Sequence, residues 1–212
     1  VAVLAFIGLV PPGTLRLAPG VPATVAVRGL LTCALFSADA YVPLTLVTGR
    51  GAQTWVAGVT LTAISLTWAG GSWVQARTVQ RLGPRHLDRI GFALVAAGSA
   101  LMLVVALGAW VGLAVVAWGI AWLGIGIAYA PLSATVLASA VPGEEGQASA
   151  SLQLSDTLGI AVGTGVGGWI VSAADTAGWT VAHGTAVVFA FSIAVAGVGF
   201  AGAARLPGHL PD

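Results

Sequence analysis

The sequence predicts an all-α membrane protein with six transmembrane helices arranged as two three-helix repeats. Three observations lead there. Hydrophobic residues make up 58% of the 212-residue chain and charged residues only 7%, whereas a soluble domain carries about 25% charge. So apolar a chain has too little polar surface for water, and its solvent is lipid. Second, the apolar runs each reach the roughly 20 residues that a membrane helix needs. Third, between residues 51 and 143 every charged residue lies in Ala76–Arg89, ARTVQRLGPRHLDR, which holds Arg77, Arg81, Arg85, Asp88 and Arg89. A basic island between two hydrophobic runs marks a short cytoplasmic loop. Backbone groups in lipid must bond internally, which leaves helices or a closed barrel. Period-2 alternation is absent, so helices are expected.

The elements follow in order. The apolar run Val1–Val10 is too short to span and lacks the basic leader of a signal peptide; it is expected to be the tail of a preceding helix. Pro11, Pro12, Pro19, Gly20 and Pro22 break helical continuity, so residues 11–22 read as a connector. Helices are predicted over 23–47, 54–75, 87–108, 111–138, 147–173 and 181–204, and residues 205–212 as a tail. With the first full helix starting in the cytoplasm, Arg16, Arg28, the four island arginines and Arg205 fall inside and only Arg50 outside. That bias places both ends of the chain in the cytoplasm and the protein in a cell membrane, expected to be a bacterial inner membrane. Glu144 and Glu145 then sit at the positive end of the fifth helix dipole. The second helix of each triplet follows a Gly/Gln/Ala entry, Gly51-Ala52-Gln53 and Gly146-Gln147-Ala148, the kind of internal repeat common in transporters.

The residues able to carry chemistry are few. Asp39 lies roughly 24 Å along the first helix, and Asp156 about 13 Å into the fifth. A carboxylate within a span costs about 2.5–3.5 kcal/mol on insertion scales, so it normally faces a bundle interior or a wet cavity and marks function. Low dielectric favours the neutral acid, which suits both residues to proton coupling. Ser149, Gln153 and Asp156 share a helical face, a polar stripe in an apolar span. Gly159, Gly163 and Gly167 form a small-xxx-small row for close helix approach. Trp118, Trp122, Gly126 and Tyr129 share a face before Pro131, an aromatic stripe suited either to packing or to a greasy or cationic ligand. Thr60, Ser65 and Thr67 can bond to their own helix. Arg28, eleven residues before Asp39 and so roughly 16 Å away, is expected to snorkel to the inner interface.

Several classes are excluded or disfavoured. Cys33 is the only cysteine, so neither an intrachain disulfide nor a cysteine metal cluster can form. Ser72 and His183 would be the residues of an intramembrane protease, but they fall at opposite ends of their helices, and catalysis needs them within about 3 Å. No zinc motif, Walker loop or dinucleotide fingerprint appears. No enzyme activity, metal, cofactor or nucleic-acid partner is expected.

The segment Ala76-Arg77-Thr78-Val79-Gln80-Arg81-Leu82-Gly83-Pro84-Arg85 resembles the loop signature of the major facilitator superfamily, roughly G-R-L-x-D-R-x-G-x-R, in its second-half copy. Residues 141–168 look like the helix ten–eleven loop and helix eleven of the drug:proton antiporter branch, and SADAYVPLTL looks like the end of its helix seven. The resemblance covers residues 23–204. It implies the C-terminal six-helix half of a 12- or 14-helix transporter, with an N-terminal half as partner. It also implies a gating loop at Arg77, Gln80, Arg81, Gly83 and Arg85, and a cavity lined by the helices bearing Asp39, Thr60, Trp122, Tyr129, Gln153 and Asp156. Gln80 stands where the signature has Asp and Ala76 where it has Gly. A glutamine cannot make the ion pair of the signature carboxylate, which moves the expected chemistry from the loop into the membrane. The function expected is proton-coupled export of small hydrophobic or cationic compounds. The alternative is a non-transporting sensor or assembly module on the same fold, with its Asp residues packed and hydrogen-bonded.

Overall fold

A computed structural model describes residues 13–140 and 143–208; all of its long elements are helices, and no strand occurs among the described residues. The expected helix tail Val1–Val10, the start of the connector and residues 209–212 lie outside them. Five helices are long and apolar enough to cross a membrane by length and composition. They are α1 (Val21–Asp39), α2 (Thr54–Ala106), α3 (Leu113–Ala138), α4 (Glu145–Thr176) and α5 (Val181–Gly202). Pro22 lies in the first turn of α1, where its missing N–H costs nothing. Beyond α1 the chain continues through a helical turn, Val42–Leu44, and a π-helical turn, Thr45–Gly49. Thr180 caps α5 by accepting from the His183 backbone N–H at 3.4 Å.

The long element α2 differs from expectation. Two helices joined by a loop over residues 76–89 are replaced by 53 helical residues, broken only at Gly83, with φ 72° and ψ 163°. Straight, they would run about 80 Å, far beyond a hydrocarbon core of about 30 Å. They fold back instead. In the first arm Thr67 lies against Gly119 and Gly71 against Gly126, so that arm runs parallel to α3. In the second arm Gly91 lies against Gly124 and Ala128, and Gly98 against Ala117 and Ala121, so that arm runs antiparallel to it. Glycine adopts the left-handed φ without a Cβ penalty, and Pro84 supplies no N–H to continue the ladder. Those two residues make the reversal in so short a span that the island arginines ride on helix rather than on a loop.

The core lies among α1, α3, α5 and the second arm of α2, where Leu31, Leu35, Phe92, Met102, Trp118 and Phe189 are fully buried. The helix α4 is the least enclosed, and Val162 and Trp169 on it are exposed. It is held to α1 by the predicted glycine row. A Cβ on Gly163 would lie 2.6 Å from the Cys33 carbonyl oxygen, while Gly159 meets Gly29 and Thr32, and Gly167 meets Ser37 and Tyr41. That contact sets the register of α4 on α1 and so decides what Asp156 faces.

One end of the bundle gathers most of the basic residues. The Arg85 Nε–H donates to the Leu206 carbonyl oxygen at 3.0 Å, and Arg205 donates to the carbonyl oxygens of Arg16 and Leu17. These bonds tie together the Gly83 corner, the chain after α5 and the chain before α1. Arg50 lies at the other end, donating to the Ala109 carbonyl oxygen at 3.3 Å.

Candidate functional site: a buried arginine–aspartate cluster and an indole-bound aspartate

Arg28 does not snorkel. It lies about 10 Å into α1, and its side chain is 4% exposed while that of its partner Asp156 is 6% exposed. Its guanidinium meets the carboxylate as a fork: Nε–H donates to Oδ1 at 2.7 Å and Nη2–H to Oδ2 at 2.8 Å. The same group lies over the Tyr129 ring, 3.1 Å from its centroid. Nη1 donates to the Tyr129 carbonyl oxygen at 2.6 Å and to Ser133 Oγ at 2.9 Å. The Tyr129 hydroxyl closes the cluster by donating to Asp156 Oδ2 at 2.9 Å. Three helices, α1, α3 and α4, thus converge on one ion pair. The correction has a physical cause: the glycine contact draws α4 close to α1, and Ser155 Oγ–H bonds the Val25 carbonyl oxygen at 2.6 Å one residue before Asp156. A bidentate carboxylate at that depth outcompetes the distant interface for the guanidinium.

Asp39 is built differently. Its Oδ1 accepts from the Trp118 indole N–H at 2.8 Å and from the Trp122 indole N–H at 3.1 Å. The Arg28–Asp156 bridge is the ion pair found among the described residues, so Asp39 is met by neutral dipoles and not by a cation. Indole N–H groups seek a partner when buried, and Trp118 is fully buried. Two residues one turn apart on α3 therefore aim at the same oxygen.

An aromatic column joins the two levels. Trp122 packs on Trp68 with ring centroids 5.4 Å apart, Trp68 packs on Tyr129 at 5.4 Å, and Phe36 meets Trp122 edge-on at 5.8 Å. Within the four-residue face predicted on α3, Trp118 and Trp122 serve Asp39 and Tyr129 serves Asp156.

Other predicted residues stand apart. Gln153 and Ser149 are exposed, whereas Asp156 is buried, so the expected polar stripe divides between an outer and an inner face. Thr60 is buried but donates to the Val56 carbonyl oxygen of its own helix at 2.8 Å. Of the island residues, Gln80 and Arg81 are exposed, Arg77 stacks 3.5 Å from the Trp73 ring centroid, and Arg85 bonds Leu206. Asp88, which sequence reasoning placed in the solvated island, is fully buried, and neither carboxylate oxygen has a hydrogen-bond partner among the described residues. Sequence reasoning also missed Arg28, Ser133 and the part played by Trp68. The available signal for Arg28 was one arginine inside a span of a chain with few intramembrane charges.

Among the described residues no group of three or more His, Cys, Asp or Glu side chains gathers to hold a metal ion. A buried pair contributes little net stability, but losing one partner's charge leaves the other uncompensated at a cost of about 3–5 kcal/mol. No protein-family model and no curated protein matches this chain significantly.

Proposed function

We propose that the chain is the six-spanning half of a secondary transporter that moves small hydrophobic or cationic compounds against protons by alternating access. The five long elements supply six spans when the α2 hairpin counts as two, and we read them as two triplets, α1 with the α2 arms and α3 with α4 and α5. An N-terminal half would face them across a central cavity, and the arginine-rich end would be cytoplasmic. The observation that carries the reading is the Arg28–Asp156–Tyr129 cluster, a charge pair held by three helices inside an apolar bundle. Protonating Asp156 would remove the counter-charge of Arg28, and the helices would then have to repack to compensate it. A conformational equilibrium biased by protonation is what coupling requires.

A second reading has a specific observation in its favour. Both carboxylates are hydrogen-bonded, Asp156 to Arg28 and Tyr129 and Asp39 to two indoles, as a non-transporting membrane module would hold them. Reconstitution of the chain joined to its N-terminal half in vesicles separates the two. With Asp39→Asn and Asp156→Asn, pH-gradient-driven efflux of a lipophilic cation should lose its coupling to the gradient. Absence of gradient-driven efflux by the unsubstituted protein rejects the transporter reading, and coupling unchanged in both variants rejects the role given to the aspartates.

A further inference from the structure

A groove of about 370 Å³ runs along α1, α4 and α5, lined by Leu17, Gly29, Cys33, Ser155, Gly159 and Val162 among others. Its walls are small or apolar apart from Thr14 and Ser155, and Ser155 Oγ is already bonded to the Val25 carbonyl oxygen. Nothing in the wall asks for a polar ligand. The mouth is the opposite. Thr14 and Leu17 line the end that precedes α1, Arg16 lies between them in the chain and is exposed, and Arg205 bonds the carbonyl oxygens of Arg16 and Leu17 at 3.3 and 3.1 Å. Neither arginine has an acidic partner among the described residues. An apolar slot flanked at one end by two arginines without acidic partners among the described residues has the polarity of an anionic phospholipid.

We propose that this groove is a specific site for an anionic phospholipid, with the phosphate at Arg16 and Arg205 and one acyl chain lying over Gly29, Cys33 and Gly159. Basic pockets between membrane helices select anionic headgroups, and each nearby arginine adds about fivefold to affinity. The charge at the mouth selects the headgroup, while the slot requires the chain, so neither part alone is a ligand. The site contains neither Asp39 nor Asp156, although Gly29, Ser155 and Gly159 also belong to the contact that orients Asp156.

Cys33, the only cysteine in the sequence, is buried, so the reporter is placed at Val162, which lines the slot and is exposed: the labelling rate of the Cys33→Ser/Val162→Cys protein by a small membrane-permeant maleimide reads occupancy. The full chain is reconstituted in phosphatidylcholine vesicles with increasing phosphatidylglycerol. Labelling should slow as phosphatidylglycerol rises, with soluble glycerophosphate giving no protection. With Arg16→Gln/Arg205→Gln added, the apparent affinity for phosphatidylglycerol read from the protection curve should fall about 30-fold. Labelling that is indifferent to headgroup charge overturns the proposal, because the groove then holds bulk lipid or another part of a protein. Protection by glycerophosphate would assign the arginines to a free phosphate and overturn it as well. The reporter protein with both arginines intact decides both points, so the result stands even where the arginine variant does not fold.

Discussion

Replacing Asp156 by Asn tests the central cluster most directly. The substitution keeps the shape of the side chain and removes its charge. Arg28 would lose a bidentate carboxylate at 2.7 and 2.8 Å and keep two neutral acceptors, the Tyr129 carbonyl oxygen and Ser133 Oγ. With both side chains nearly excluded from the surface, water cannot take the place of the lost carboxylate. Breaking a buried pair on one side costs about 3–5 kcal/mol. At roughly 2–4 °C per kcal/mol for a chain of this size, the thermal midpoint in detergent should fall by about 6–20 °C. Arg28→Met alone strands the opposite charge and should cost a similar amount. The double variant Arg28→Met/Asp156→Asn strands neither, so it should be more stable than either single variant, since apolar replacement of a whole buried pair is often neutral. Thermal unfolding followed by circular dichroism across this cycle measures the coupling. An unchanged midpoint in Asp156→Asn, or a double variant as unstable as the sum of the singles, refutes the pair as an energetic unit.

Two further outcomes follow from the same packing. Gly163→Ala places a Cβ 2.6 Å from the Cys33 carbonyl oxygen, a backbone atom that cannot step aside. Prying α4 from α1 in this way should lower stability by about 1–3 kcal/mol, whereas Gly165→Ala, with open space around it, should be nearly silent; equal effects in a denaturation assay would dismiss the row as a contact. Asp88→Leu should raise stability by about 1–3 kcal/mol, because it removes two buried oxygens that have no partner. A lower midpoint would refute the unpartnered carboxylate as a cost to the fold.

The elements with a strong local signal were legible in the sequence, and those set by tertiary register were not. Length and apolar content placed α3, α4 and α5 to within a few residues, because in lipid the backbone must bond within its own segment. The Gly159–Gly163–Gly167 row was legible as a close-approach surface because small residues at a four-residue spacing have few other uses in a span. Ala76–Arg89 misled because charge suggested a solvated loop. A single glycine with positive φ followed by proline reverses the chain, and the arginine stems lie along helix and aromatic rings. Arg28 misled for a related reason. Snorkelling is the default for an arginine near a helix end, and only the register of α4 against α1 reveals a carboxylate within reach. The face carrying Trp118, Trp122 and Tyr129 was visible from its spacing, but its division between two aspartates depends on the neighbouring helices. Asp88 sits one turn beyond Pro84, and its burial follows from the tight hairpin, which its charged neighbours gave no reason to expect.

The two aspartates differ in what a proton would do to them, and that difference follows from their partners. Asp156 is balanced by a guanidinium, so adding a proton creates an uncompensated positive charge in the bundle. Asp39 is met by two indole N–H groups on a single oxygen, neutral donors that stabilise its charge without cancelling it, so adding a proton removes a lone negative charge. The same chemical event raises the electrostatic cost at one level and lowers it at the other, and the Trp122–Trp68–Tyr129 column joins the two. Asn mimics the protonated acid in both places. Asp39→Asn should therefore leave stability within about 1 kcal/mol of the parent, since neutral intramembrane hydrogen bonds average only about 0.6 kcal/mol, while Asp156→Asn loses several times that. If the two variants unfold alike, the charge balance assigned to the two levels is wrong, and with it the reason for giving the proton-responsive step to Asp156.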